Sequence, residues 1–167
     1  MTVRLTRTLI LMRHGKADNP DDFADHDRPL APRGQREAAL AGEWLRDRLP
    51  AVSAISCSTA LRTRETLAAT GIDAPASFEK HIYEASPHTL IDLIRATSDT
   101  FATLLMIGHS PGIPWTAWEL AGNRSAPTAE ALSTRFPTSA LAVLEFAQPW
   151  SEISTGVGEL VHFHIPR

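Results

Sequence analysis

The stretch Thr8-Leu9-Ile10-Leu11-Met12-Arg13-His14-Gly15-Lys16 decides how this chain is read. Leu9 to Met12 are aliphatic without polar alternation, the pattern of a strand buried on both faces. Arg13-His14-Gly15 then breaks the run. That puts Arg13 and His14 at the carboxyl end of a strand, the edge where open α/β sheets bind ligands. The glycine permits a sharp turn and a close approach of backbone to a ligand. A histidine in that place can act as acid, base, metal ligand or nucleophile. The arginine beside it points to an anionic partner, most simply a phosphate.

Working outward, the same pattern recurs. Ala54 to Cys57 reads as a second buried strand and Thr103 to Ile107 as a third. Between the first two, Gly34 to Arg48 reads as a helix, with Ala38, Ala41, Leu45 and Leu49 as its apolar stripe and Pro50 as its stop. Ser58 is placed to cap a helix over Thr59 to Thr70, which Gly71 ends. Arg62, four residues after Ser58, lies on the same helical face and points back to the strand ends, whereas Arg64 points away. Pro75 to Ile82 holds a weak strand. Tyr83-Glu84-Ala85 is a connection, and Ser86-Pro87 opens a helix to about Thr97. Ser110-Pro111 opens another, to about Ala121, so His109 stands between a strand end and a helix N-terminus, where an anion is favoured.

The remaining features read as packing or solvated surface. The acidic stretch from Asp18 to Asp27 is a solvated loop. Cys57 is a small packing residue, and Trp115 and Trp118 pack their helix. Gly122 to Thr138 is a long loop with a helical turn at Ala129–Leu132. Ala140 to Phe146 and Gly158 to Ile165 are further strands. His162 and His164 share one face of the last, an exposed face with no third metal ligand in view.

Composition bounds the rest. With 167 residues, 43% of them hydrophobic, the chain is expected to form one domain over residues 1–167 with a sizeable core. The net charge of -3 gives no bulk attraction for nucleic acid or an anionic membrane. The lone cysteine excludes an internal disulfide. Leu9 to Met12 are too few for a signal-peptide core, and no run approaches the ~20 apolar residues of a membrane span. A soluble cytoplasmic protein is the expectation.

Strands alternating with helices imply a mostly parallel sheet whose strand ends share one edge. Arg13, His14, Arg62 and His109 can then converge. Two guanidiniums suit the equatorial oxygens of a transferring phosphoryl group. One imidazole can attack phosphorus while the other supplies a hydrogen bond or charge. The arginines neutralise the anion, so the site needs no carboxylate cage for Mg²⁺ and no cofactor.

Three stretches carry a resemblance. Arg13-His14-Gly15 resembles the nucleophile motif of the histidine phosphatase superfamily, also called phosphoglycerate-mutase-like. Ser58-Thr59-Ala60-Leu61-Arg62-Thr63 is similar to its Ser-Pro-x-x-Arg-Ala segment, with threonine for proline and for alanine. Gly108-His109-Ser110-Pro111 is similar to its Gly-His-Asn-Pro segment. The chain length and Arg28-Pro29-Leu30…Arg33-Gly34 look like the short SixA-type branch, the phosphohistidine phosphatases.

The resemblance implies a three-layer α/β/α sandwich with His14 as the phosphorylated nucleophile. Arg13, Arg62 and His109 would complete the phosphate pocket. Larger members use a glutamate as general acid in an insertion that this chain lacks; Glu84 is the carboxylate placed to substitute for it. The implied activity is metal-independent hydrolysis of phosphohistidine on a protein. The alternatives are a small-molecule phosphomonoesterase of the same fold and a non-catalytic phosphate- or phosphoprotein-binding module. Binding alone would not need a nucleophile at His14.

Overall fold

The computed structural model describes residues 5–167. Its centre is β1 (Arg7–Arg13), in which Leu9, Ile10, Leu11 and Met12 are all fully buried. Alternate side chains go to opposite faces. Leu9 and Leu11 join one apolar cluster, and Ile10 and Met12 join another on the other side of the sheet. Each such side chain contributes about 1.5–3 kcal/mol by leaving water.

The further strands are β2 (Ala54–Ser58), β3 (Ala76–Glu79), β4 (Thr103–Gly108), β5 (Leu141–Phe146) and β6 (Glu159–His164). They form a six-stranded sheet in the order β3-β2-β4-β1-β5-β6. β1, β2, β3 and β4 run parallel; β5 is antiparallel to β1, and β6, antiparallel to β5, runs in the direction of the first four. The helices are α1 (Pro32–Arg48), α2 (Leu61–Thr70), α3 (Pro87–Arg95), α4 (Gly112–Leu120) and α5 (Pro127–Thr134). α1 carries Ala38, Ala41 and Leu45 into the cluster on one sheet face, while α3, α4 and α5 fill the cluster on the other. This is the expected three-layer sandwich with a mostly parallel sheet. Among the described residues no helix is long and apolar enough to cross a membrane.

Several local expectations need correction. Ser58 does not cap α2. It ends β2, and Ala60 takes the cap position without a side-chain hydrogen bond. Ser110 likewise does not cap α4; Pro111 holds that position, and the His109 carbonyl accepts from the Ile113 N–H at 2.9 Å. The stretch read as a loop with one turn holds an eight-residue helix, α5, which buries Ala129 and Leu132. His162 and His164 do not form an exposed face. They are half-buried against Trp44 of α1, with His164 stacked on its ring at 4.6 Å. Trp115 is not a packing residue, since it is 61% exposed. Trp118 is partly buried against the core.

Gly15 also has a different reason from the one expected. A Cβ there would lie 2.9 Å from the Gly34 carbonyl oxygen and 3.2 Å from its Cα. The glycine therefore serves close packing between the segment after β1 and the start of α1. The Lys16 carbonyl accepts from the Ala31 N–H at 2.8 Å, which ties the same two segments together.

Candidate active site

Register alone brings the three strand ends side by side. In the parallel pairing Arg13 lies opposite Gly108 and Cys57 opposite Ile107. His14, Ser58 and His109 thus follow in neighbouring rows at one sheet edge. His14 is held from both sides: its N–H donates to the Gly108 carbonyl and its carbonyl accepts from the Ser139 N–H, each at 3.0 Å. The Gly15 N–H donates to Thr66 Oγ1 at 2.9 Å, which fixes the turn to α2.

The partners assign the two imidazoles. His14 Nδ1 lies 2.7 Å from the Gly15 carbonyl oxygen, an acceptor, so Nδ1 carries the proton and Nε2 keeps a lone pair. His109 Nε2 lies 2.8 Å from Ser58 Oγ, and its Nδ1 is 3.5 Å from Arg62 Nη2, at the outer limit of a hydrogen bond. The guanidinium can only donate, so Nδ1 is the acceptor and Nε2 the donor. The two rings are 5.2 Å apart.

Burial pushes the His14 imidazole down to about 4; the Gly15 hydrogen bond opposes this, and Arg62, Arg13 and Arg28 add to it. Burial and then the charges of His14 and Arg62 push His109 down to about 3. Both rings are therefore neutral near pH 7.

Arg62, from the first turn of α2, is 6% exposed. Arg13 turns its Nη1 to the Phe136 carbonyl at 2.9 Å. The Nε atoms of both guanidiniums are buried without a partner. A buried donor left unpaired is costly. Arg64 is exposed, as its helical position predicts.

One contributor was not anticipated. Asp25, in the stretch read as solvated loop, closes on the site. Arg62 Nη1 donates to its backbone carbonyl at 2.6 Å, and Arg62 Nη2 to its Oδ2 at 3.1 Å. The Tyr83 hydroxyl also donates to Oδ2, and Arg28 Nη1 to Oδ1 at 3.0 Å. The Tyr83 bond first, then Arg28 and Arg62, holds this carboxyl well below the usual carboxylate range. Its position three residues before Arg28 was the available signal. Ser139 was missed too. It is fully buried, holds the His14 carbonyl and adopts φ 65, a left-handed value uncommon outside glycine.

A cleft of about 430 Å³ opens over this edge, lined by Asp25, Arg62, Tyr83, His109, the start of α4 and Trp115. His14 and Arg13 lie beside it rather than among its lining residues. Glu84 lines it, exposed and at φ 57. Cys57 is fully buried below the edge, and burial pushes its thiol up to about 12, which leaves it inert near pH 7. Among the described residues no three His, Cys, Asp or Glu side chains are grouped to hold a metal ion.

Residues 9–89 match the model of the histidine phosphatase superfamily, branch 1. An uncharacterized protein of Mycobacterium tuberculosis is 52% identical over 158 residues, covering 93% of this chain and 100% of the relative. A solved structure from Nakamurella multipartitia is 38% identical, with a TM-score of 0.90 over 96% of each chain. The chain belongs to the histidine phosphatase superfamily. The Nakamurella structure is provisionally assigned as a SixA phosphohistidine phosphatase. So is a structure from Agrobacterium tumefaciens, 28% identical with a TM-score of 0.80 over 96% of this chain and 98% of that one. The histidine phosphatase fold accounts for the six-stranded sheet, and these likenesses place the chain in the SixA-type group.

The depressed histidines give a stability prediction. An unfolded histidine titrates near 6.5. Between that value and about 4 the unfolded chain binds more protons than the folded one at His14, and down to about 3 at His109. Stability is therefore full above pH 6.5 and falls as the pH drops through this window. Unfolding free energies from urea titrations in phosphate-free buffer should fall between pH 6.5 and pH 4, by on the order of 5 kcal/mol for the two groups together. His109→Gln should flatten the decline. An unchanged midpoint down to pH 4 would mean that the rings are not buried neutral.

Proposed function

We propose that this histidine phosphatase hydrolyses a phosphoryl group through a covalent phosphohistidine on His14, and that phosphohistidine on a protein is its preferred substrate. The observation that carries the reading is the His14 imidazole itself. Its Nδ1–H is fixed on Gly15, which leaves the Nε2 lone pair free, and the charges of the buried Arg62 and the half-buried Arg13 act on the ring.

The chemistry follows from those groups. His14 Nε2 attacks phosphorus, and the bond to the leaving group breaks. Arg13 and Arg62 stabilise the charge on the phosphoryl oxygens in the transition state, and His109 joins them as a donor when the arriving anion draws a proton to its Nδ1. Water then attacks phosphorus, the P–Nε2 bond breaks with its electron pair returning to His14, and the water proton leaves with inorganic phosphate, so His14 is again neutral with its proton on Nδ1. The guanidiniums supply the positive charge that a metal would otherwise supply, so turnover is expected to survive EDTA.

Two features favour a protein substrate. The cleft, about 430 Å³, is at the small end for a metabolite site, and Trp115 stands 61% exposed at its rim. Such a site gives a metabolite few contacts beyond its phosphate, yet it admits a side chain projecting from a folded partner. The second feature is the leaving group. An alkoxide needs a proton from a general acid, and the exposed Glu84 is the candidate for that role. A protonated phosphohistidine releases neutral imidazole without one.

The test is a side-by-side assay of a phosphohistidine-bearing phosphotransfer domain and a panel of small phosphate esters. We expect higher kcat/KM on the phosphoprotein, and Glu84→Gln should slow only the esters appreciably. Higher kcat/KM on a sugar phosphate or phosphoglycerate would replace this reading with that of a small-molecule phosphomonoesterase.

A further inference from the structure

We infer that Asp25 selects for a leaving group that carries positive charge, as protonated imidazole does, against neutral and anionic leaving groups. The inference rests on the phosphohistidine reading above and adds the residue that sets the preference.

A carboxylate is out of place at the mouth of an anion site. Asp25 lines the cleft with Arg62 and His109, its side chain is 52% exposed, and its Oδ2 lies 3.1 Å from Arg62 Nη2. Its negative charge opposes every phosphate that approaches that arginine. For an ester of an anionic metabolite the opposition is doubled, because both phosphate and leaving group are repelled. For a phosphoryl group carried on a cationic ring the second term changes sign, and the carboxylate attracts the part of the substrate nearest to it.

The hydrogen bonds leave room for that attraction. A carboxylate offers about four acceptor positions. Arg62 and Tyr83 fill two on Oδ2, and Arg28 fills one on Oδ1. One position on Oδ1 stays open to a ring N–H. The Tyr83 ring stands edge-on to His109 at 5.3 Å and to His26 at 5.1 Å, which fixes the wall from which its hydroxyl holds Asp25.

The step balances with no further acid. The substrate enters as a phosphoimidazolium whose far ring nitrogen carries a proton. His14 Nε2 forms a bond to phosphorus as the P–N bond of the substrate breaks, and that electron pair returns to the leaving ring. The ring departs neutral with its N–H intact, while His14, protonated at Nδ1, takes up the positive charge. By favouring the N–H, Asp25 raises the fraction of substrate in the form that can leave.

A rival role for Asp25 is to hold Arg62 in place and nothing more. The two separate by substrate ranking. The full chain and its Asp25→Asn variant would be assayed on N-phosphoimidazole, phenyl phosphate and 3-phosphoglycerate, which share a phosphoryl group and differ in leaving-group charge. We expect Asp25→Asn to lower kcat/KM about tenfold on phosphoimidazole, the scale of one charge-assisted hydrogen bond. Phenyl phosphate should improve modestly, because the repulsion of its phosphate is lost, and 3-phosphoglycerate, repelled twice, should improve more. Asp25→Glu, which keeps the charge, should retain the wild-type ranking. An equal loss on all three substrates, or no change on any, would overturn the inference while leaving the phosphohistidine reading intact. Wild-type enzyme that turns over phosphoimidazole no faster than the esters would overturn that reading and this inference with it.

Discussion

Replacing His14 with alanine is expected to abolish turnover, with a loss on the order of 10⁴-fold or more in kcat. The side chain supplies the nucleophile of the first step, and no phosphoenzyme forms without it. The two arginines left behind would still bind phosphate, so affinity for inorganic phosphate should survive far better than rate. His14→Gln is the better partner variant for size. The backbone bonds of residue 14 to Gly108 and Ser139 do not involve the side chain, so both variants should keep the fold. Steady-state assays on a phosphohistidine protein, with circular dichroism as the folding check, measure this directly. A His14→Ala enzyme that retains a tenth of its activity would be incompatible with covalent catalysis at this residue.

Arg62→Ala should cost about 10²–10³ in kcat, the scale reported for removing one preorganised donor from an oxyanion site. The loss has two sources. The guanidinium no longer meets the phosphoryl oxygens, and Asp25 and Tyr83 lose the group they close upon. Arg62→Lys keeps the charge but not the planar fork, so it should fall between wild type and alanine. Asp25 is about half exposed, so water can replace its lost partner, and the stability cost should be small beside the kinetic one. The comparison of kcat with urea midpoint for Arg62→Ala checks both halves. Wild-type kcat in that variant would remove Arg62 from the phosphate site.

The sequence was most legible where local chemistry and burial agree. β1 and β4 announce themselves as uninterrupted apolar runs because both of their faces are covered, while β2 is shorter and carries a half-buried Ser56 within its run. Their polar ends then locate His14, Arg62 and His109 from chain order alone. What escaped depends on partners distant in sequence. Asp25 looks like any loop carboxylate until Arg62 and Tyr83, 37 and 58 residues away, arrive on either side of it. The Ser58 hydroxyl reads as a helix cap, yet His109 takes it. His162 and His164 were correctly placed on one strand face, but nothing local says that Trp44 of α1 covers that face. Gly15 reads as a ligand-side glycine, whereas Gly34 fills the space.

The most direct test of covalent catalysis is to trap the enzyme with a phosphohistidine protein, quench in base and locate phosphate by mass spectrometry. The account predicts one acid-labile, base-stable phosphate on His14, absent from His14→Gln. Phosphate on His109, or turnover with no phosphoenzyme at any quench time, would contradict it.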